Sequence, residues 1–217
     1  MLRPSSPRAF TLIEMLVVMA IIAILAGLVL SIQGLAQTKS ARAKAEAEIK
    51  AMTLGIESYK GDNGTYPRSA DTDNLDPRRD GTPSGSGSDI YQKASLYLYT
   101  SLSGDFKPEG APDGKPEAEN KVYLAEFFKP AILGGKKDSD GKLLQVKYLQ
   151  DPFGNSYGYS TKGAKAEEEF QTSLRLDPKL PRPATFAGFN PTFDLWSTGG
   201  STKGVTAAEQ AKWIKNW

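Results

Sequence analysis

Hydrophobic positions at the N-terminal end of the chain follow two patterns in succession. Residues 15–30 are an uninterrupted apolar run, MLVVMAIIAILAGLVL, and residues 10–36 contain one charged residue, Glu14. A bilayer core needs about 20 helical residues, so residues 10–36 are predicted to be the transmembrane half of a helix. Residues 37–60 are predicted to be its amphipathic half. Apolar residues recur there every three or four positions, typical of one helix face: Ala45, Ile49, Met52, Ile56 and Tyr59.

The pattern of the remaining residues, 61–217, predicts a globular domain. The turn cluster Gly61 to Gly64 is expected to end the long helix. A second helix is expected at residues 89–102, with Asp89 as its N-cap. Alternating patterns predict strands at residues 143–149, 156–160 and 193–197.

Other segments of this domain have weaker patterns. Residues 122–133 fit either a helix or a strand. Residues 68–88 and 161–192, the latter with four prolines, are expected to be mostly irregular, and residues 68–88 to be exposed. Residues 204–217 fit a short amphipathic helix, docked through Val205, Ala208 and Trp213. The predicted fold class is α+β, with a long N-terminal helix packed on a small antiparallel sheet.

Composition excludes several classes of function. The chain has no Cys and no His, which excludes disulfides, His-ligated metal sites and Ser-His-Asp or Cys-His nucleophiles. The 27 basic residues are nearly matched by 25 acidic ones, which does not favour nucleic-acid binding. Any catalysis that remains possible would have to rely on carboxylates, Lys or Tyr.

Glu14 is the residue that the apolar pattern leaves unexplained. A carboxylate inside a membrane span costs a few kcal/mol unless it has a partner or reaches the interface. Cleavage of the chain before Phe10 would create a partner, the new α-ammonium, and the pair would set the axial register of packed helices, as a buried polar residue does in a coiled coil. Alternatively, Glu14 extends to the lipid headgroups near the helix end. The residues alone leave both interpretations open.

The sequence FTLIEMLVVMAIIAILAGLVL, residues 10–30, resembles the N-terminal signature of type IV prepilins and pseudopilins. The resemblance implies that residues 1–9, MLRPSSPRA, are a prepilin leader. A prepilin peptidase would cut between Ala9 and Phe10 and methylate the Phe10 amine, and Glu14 would be the register carboxylate. The family usually has Gly before the cut, where this chain has Ala9. Many members also have a proline within the span, whereas residues 10–66 contain none.

An ordinary secretory signal peptide is the competing account of this segment. Gly34 and Ala36 are small residues at the offsets that a leader peptidase requires, for a cut after Ala36. Glu14 within the apolar region, and the apolar helix face that continues beyond the site, argue against this account.

Three ordered segments of the domain resemble the major pseudopilin of type II secretion. They are YKGDNGTYP at residues 59–67, DPFGNSYGY at residues 151–159 and FDLWSTGG at residues 193–200. Phe153 stands where that family usually has Trp, and Asn216 and Trp217 resemble its closing residues. In that family the loop after the late strand binds calcium. Residues 199–217 contain no Asp, so we expect no calcium here.

The resemblance implies a subunit that polymerises with itself into a periplasmic pseudopilus, with no enzyme activity and no cofactor. Its expected partners are the prepilin peptidase, minor pseudopilins, the inner-membrane assembly platform and membrane lipid. The expected location is the bacterial inner membrane, with a cytoplasmic N-terminus and residues 61–217 in the periplasm. The alternatives are an adhesion or motility pilin and, from another class, a membrane-anchored enzyme or binding domain.

Overall fold

The computed structural model describes residues 10–83, 88–105, 121–124, 127–183, 187–202 and 204–217, with only the backbone of residues 28–33, 35 and 88. The chain is α+β. Its helices are α1 (Leu12–Asn63), α2 (Ala70–Asn74), α3 (Ser88–Ser103), α4 (Lys162–Leu176) and α5 (Ala207–Gln210). Its strands are β1 (Leu133–Lys137), β2 (Leu143–Leu149), β3 (Gly158–Ser160), β4 (Asp194–Ser197) and β5 (Ile214–Lys215), and a 3₁₀ turn, Pro130–Ile132, precedes β1.

Helix α1 is 52 residues long, from Leu12 to Asn63, and agrees with the single helix predicted from its two halves, residues 10–36 and 37–60. Its end is set by Gly64, which has a φ of +75° and donates its N–H to the Lys60 carbonyl at 2.8 Å. A left-handed residue at this position is a common helix terminator, and Gly adopts it without steric cost. The predicted turn cluster therefore does end the helix.

The apolar face of residues 45–59 is confirmed as part of the core. Ala45, Met52 and Ile56 are fully buried and Ile49 is 4% exposed, while Tyr59 is partly buried. They belong to one hydrophobic cluster with residues of the strands and of α3, among them Leu98, Tyr99, Leu149, Tyr157, Tyr159 and Leu195. Burial of the side chains of this cluster, 17 among the described residues, is the main source of stability for this part of the chain.

The strands form two small antiparallel sheets. β1 pairs with β2, and β4 lies between β3 and β5. β2 has the predicted bounds, and β4 begins one residue later than predicted. β3 is shorter than expected, because Ser156 forms only an isolated bridge with Gln150.

Several sequence-based expectations for this domain were wrong. Residues 161–192 were expected to be mostly irregular, but helix α4 occupies residues 162–176. A helix can form there because all four prolines of the segment lie beyond its end. Residues 68–83 contain α2 and the buried residues Thr72 and Leu75, so this segment is not an exposed loop. Residues 122–124 are irregular, and β1 was not anticipated.

Two helix boundaries also differ from those predicted. Asp89 is in the first turn of α3, which begins at Ser88, and so is not its N-cap. The C-terminal segment contains only the four-residue helix α5 and then β5. Trp213 is buried, as expected. It directly precedes β5, not a helix, and the backbone of β5 is paired with β4.

The chain divides into two compact units, Met1–Ala41 and Arg42–Trp217. In the first unit, apolar side chains from Phe10 to Leu25 are about half or more exposed. Across the described residues, no helix meets the combined length and hydropathy expected of a membrane span.

Candidate assembly motif and the domain behind it

The predicted processing site lies at the edge of the described chain. Ala9 lies outside the described residues. Phe10 is 74% exposed, and neither Phe10 nor Thr11 belongs to α1, which begins at Leu12. The backbone after the predicted cut is therefore non-helical for two residues.

Glu14 is in the first turn of α1 and closes it with Thr11. The Thr11 N–H and hydroxyl each donate to Glu14 Oε2 at 2.8 Å, and the Glu14 N–H donates to Thr11 Oγ1 at 3.3 Å. This reciprocal arrangement is a capping box, which satisfies two of the N–H groups that a helix start leaves without partners.

Thr11 is a residue whose role the sequence analysis missed. The signal was present as Thr-x-x-Glu directly before an apolar run, the usual pattern of a capping box. It gives Glu14 a partner within its own chain, which neither of the two earlier interpretations included. A carboxylate has about four acceptor positions, and both Thr11 bonds go to Oε2. The geometry therefore allows Glu14 to accept an ammonium as well.

The alternative cut after Ala36 falls inside a continuous helix. Residues 12–63 are helical throughout, and Ala36 has α1 on both sides. The structure shows no turn or extended stretch at that position, which disfavours a leader-peptidase site there.

The three segments that resemble the major pseudopilin contact one another in the domain. The Tyr66 and Phe193 rings lie 5.2 Å apart. The Tyr159 hydroxyl donates to the Pro67 carbonyl at 2.7 Å. These contacts join the exit of α1 to β3 and β4, so segments widely separated in sequence form one side of the core.

Asp151 organises the turn before β3. Its Oδ1 accepts the N–H groups of Phe153 at 3.0 Å and Asn155 at 2.8 Å, and its Oδ2 accepts the Ser197 hydroxyl at 2.5 Å. Asp151 is 3% exposed, and burial raises the pKa of its carboxyl against the opposing effect of these hydrogen bonds. The predicted tight turn is confirmed, and its carboxylate also fixes β4.

Glu48 ties α1 to the same region. The Tyr157 hydroxyl donates to Glu48 Oε2 at 2.6 Å, and the Glu48 side chain is 12% exposed. Burial raises the pKa of Glu48, while the bond from Tyr157 and the charge of Lys44 lower it. The sequence analysis did not single out Glu48, so this contact was not anticipated.

The oxygens around the late loop do not fit a calcium site. Calcium takes six to eight oxygen ligands, usually with several carboxylates. Glu209 is the acidic residue of this loop, and it accepts from Ser201 and Lys212 at 2.8 Å each. Both Asp194 oxygens accept backbone N–H groups, from Phe189 and Asn190. Within the described residues, no three acidic side chains are grouped to hold a metal.

Comparison with protein families gives one match, at the N-terminal end. Residues 5–30 match the family described as Prokaryotic N-terminal methylation motif. Comparisons of the chain with curated proteins and with solved structures find no match. The family match covers Phe10, Thr11 and Glu14, and it supports a pilin-like, exported or membrane-anchored subunit with a prepilin-type N-terminus.

Proposed function

We propose that this chain is the structural subunit of a pseudopilus, the periplasmic filament of a type II secretion system. A prepilin peptidase removes residues 1–9 and methylates the Phe10 amine. Residues 10–36 anchor the subunit in the inner membrane, with the N-terminus in the cytoplasm, until it is extracted into the filament. The protein is not an enzyme in this proposal and carries no cofactor.

The observation that carries the proposal is the methylation motif at residues 5–30, together with a carboxylate at the start of a 52-residue helix. In the filament, Glu14 accepts the Phe10 ammonium of its own chain or of a neighbour. A subunit of this design needs copies of itself, minor pseudopilins and an inner-membrane platform. It needs no catalytic group.

The choice of a secretion filament over a motility or adhesion pilus rests on the three domain segments. Their resemblance to the major pseudopilin involves residues that contact one another, including Tyr66, Phe193 and Tyr159. Deletion of the gene is expected to block release of exported proteins and to leave surface pili and motility intact. Loss of pili with normal secretion would favour the pilus instead.

Processing is tested by the intact mass of the mature protein. The expected chain lacks nine residues and begins at Phe10, with one added methyl group on its amine. The control is the same protein expressed without the peptidase, which should keep residues 1–9. A mature protein that begins at Gln37 would contradict both the processing and the filament that depends on it.

A further inference from the structure

An open groove of about 730 Å³ lies within the unit formed by residues 42–217, between α1 and the C-terminal residues 213–217. Its α1 side includes Leu54, an apolar side chain that is 69% exposed. The Arg42 guanidinium donates to the Lys212 carbonyl at 2.8 Å and so holds the C-terminal segment beside α1. The groove is therefore already formed in the single chain, and it leaves an apolar side chain uncovered.

Positive charge predominates along this groove. Its cationic lining residues are Arg42, Lys50 and Lys215, and its acidic lining residue is Glu46. Lys50 is exposed and lies one helical turn before Leu54 on α1. In the part of the chain that the structure describes, Lys50 forms no ion pair. The groove therefore presents an exposed leucine beside an unpaired ammonium.

The opposite combination lies on α4. Leu176 is 87% exposed, more than any other large apolar side chain described within residues 42–217. Glu169 precedes it by seven residues, which is two helical turns and places both on one face. Glu169 is exposed and has no ion pair among the described residues, whereas its neighbour Glu168 pairs with Arg68. This face of α4 therefore presents an exposed leucine with an unpaired carboxylate.

The charges next to Leu176 along the chain leave Glu169 to set the sign of this face. Arg175 and Asp177 flank Leu176, are both exposed and are opposite in charge. The two residues that lie between Glu169 and Leu176 on this face, Thr172 and Ser173, are uncharged. The face of α4 and the groove are therefore complementary in charge, and each has apolar surface that the chain itself leaves uncovered.

We propose that Leu176 of one subunit docks beside Leu54 in the groove of the next subunit, and that Glu169 pairs with Lys50 across this contact. Leu54 and Lys50 are about 6 Å apart along their helix axis, and Leu176 and Glu169 about 10.5 Å. The long, flexible Lys50 side chain can cover the difference. Complementary charge of this kind fixes which surfaces meet and in which register.

This inference rests on the proposed function, which requires copies of the chain to join in an open filament. The α4 face and the groove are different surfaces of the chain, so the contact between them is heterologous. Repetition of a heterologous contact builds a ring or an open helical filament, not a closed pair. The contact involves only residues 42–217 and would add to any contacts that residues 10–36 make.

Cysteine cross-linking in assembled filaments tests the contact, because the chain has no native Cys. The full-length variant Leu54→Cys, Leu176→Cys replaces the native chain in cells and is treated with a short bismaleimide. Denaturing gels are expected to show a ladder of dimers, trimers and longer chains, with at least about fivefold more cross-linked chain than either single variant, since each copy links to the next. Two single variants with different tags, expressed together, should give only dimers that carry both tags.

A matched control uses the other exposed leucine of the β1–β2 sheet. Leu144 is 40% exposed, so its thiol is accessible, but it lies outside the groove. The variant Leu144→Cys, Leu176→Cys should remain monomeric on the same gels. A ladder from this control as strong as that from Leu54→Cys, Leu176→Cys would show random collision of subunits and overturn the proposal.

Exchange of the two charges tests the predicted pair. Lys50→Glu and Glu169→Lys should each lower the yield of sedimented filament by at least about threefold, because each replaces an ion pair by a like-charge contact. The double variant Lys50→Glu, Glu169→Lys should restore the yield, which a merely structural role of either residue would not do. Lys136→Glu, at the exposed end of β1, should leave it unchanged. A double variant no better than the single ones overturns the pairing and the proposal with it.

The outcomes separate this inference from the function it rests on. Normal filaments without a link between positions 54 and 176 overturn the interface and leave the filament function intact. A double-cysteine variant that stops at dimers shows a closed pair of subunits and overturns the head-to-tail contact. A parent chain that forms no filament contradicts the proposed function, and the inference with it.

Discussion

Glu14 is the residue on which assembly is expected to depend, and it has a partner before any contact with another subunit. Thr11 holds its carboxylate through the capping box. A buried ammonium at Phe10 without a partner would cost several kcal/mol in a low dielectric. A capping interaction is worth about 1 kcal/mol. The Phe10 ammonium is therefore expected to dominate the energetics of Glu14 within packed helices.

Replacement of Glu14 by Leu is expected to leave processing intact and to prevent regular assembly. The substitution makes residues 10–36 more apolar, so insertion should be normal or improved. The cut at Ala9–Phe10 is outside the change, but the Phe10 ammonium loses its carboxylate. Electron microscopy of filaments, beside an immunoblot for the mature chain, measures both effects.

Two further variants separate assembly from helix capping. Glu14→Asp keeps the charge with a shorter reach and should assemble in part. Thr11→Val removes the hydroxyl of the capping box but keeps the carboxylate, so it should assemble. Normal filaments from Glu14→Leu would show that Glu14 merely reaches the headgroups, and that the apolar helix face sets the register.

Gly158 is a position where the core excludes any side chain. It pairs with Trp196 across β3 and β4, and a Cβ at this position would lie 2.2 Å from the Trp196 ring. Trp196 is fully buried, so it has no room to move. Gly158→Ala is expected to lower the free energy of unfolding by about 1–3 kcal/mol, the usual cost of overpacking.

Urea unfolding of the purified chain measures this cost. Gly61→Ala is the matched control, because a Cβ at Gly61 in α1 meets nothing within 4 Å and Ala is the better helix former by about 1 kcal/mol. It should be neutral or slightly stabilising. Equal stability of Gly158→Ala and the parent would mean that Trp196 repacks freely, contrary to its burial.

At the scale of elements, the sequence predicted those whose hydrophobic period is long or regular. The face from Ala45 to Tyr59 fixed both the type and the buried side of α1, and alternation fixed the bounds of β2. Helix α4 was missed because the four prolines of residues 161–192 were taken to make the whole segment irregular. All four follow Leu176, the last residue of the helix. The helix is polar overall and contributes little to the core, with Phe170 and Gly163 as its buried residues, so few apolar positions marked it as a helix.

The candidate site was predictable only where it is local. Ala9, Phe10 and Glu14 follow from a contiguous motif, and Thr11 could have been found from the same four residues. The bonds of Asp151 to Ser197 and of Glu48 to Tyr157 span 46 and 109 positions. No local pattern signals such pairs, because they depend on how β3, β4 and α1 pack.

For the whole molecule, calcium is expected to contribute little to stability. The carboxylates near the late loop already hold backbone N–H groups, Ser201 or Lys212. Chelation should therefore change the melting temperature by no more than a few degrees, measured by circular dichroism with and without added calcium. A larger fall on chelation would require a site built from other oxygens, with Asp194, Ser197, Ser201 and Thr202 as the first to test.

Buried carboxyls give the domain a dependence on pH. Burial raises the pKa of Glu48 and Asp151, and it raises the pKa of Asp194 from its ordinary 3.8 to about 6. In each case the folded state binds the proton more tightly than the unfolded state does. The free energy of unfolding therefore increases as the pH is lowered, from above the raised pKa values down to about 4, the ordinary pKa of these groups. The lowered pKa of exposed Asp62, beside Lys121, acts in the opposite direction, but only below its ordinary value of 3.8.

The domain is accordingly expected to be more stable at pH 5 than at pH 7.5. With a pKa of about 6 in the folded state against the ordinary 3.8, Asp194 contributes about 1.4 kcal/mol to the stability difference between pH 7.5 and pH 5. Urea midpoints at the two pH values measure the effect. Asp194→Asn cannot ionise and should flatten the dependence, whereas Asp140→Asn, at an exposed position, should preserve it. A urea midpoint that is lower at pH 5 than at pH 7.5 would show that the backbone N–H bonds to Asp194 outweigh its burial.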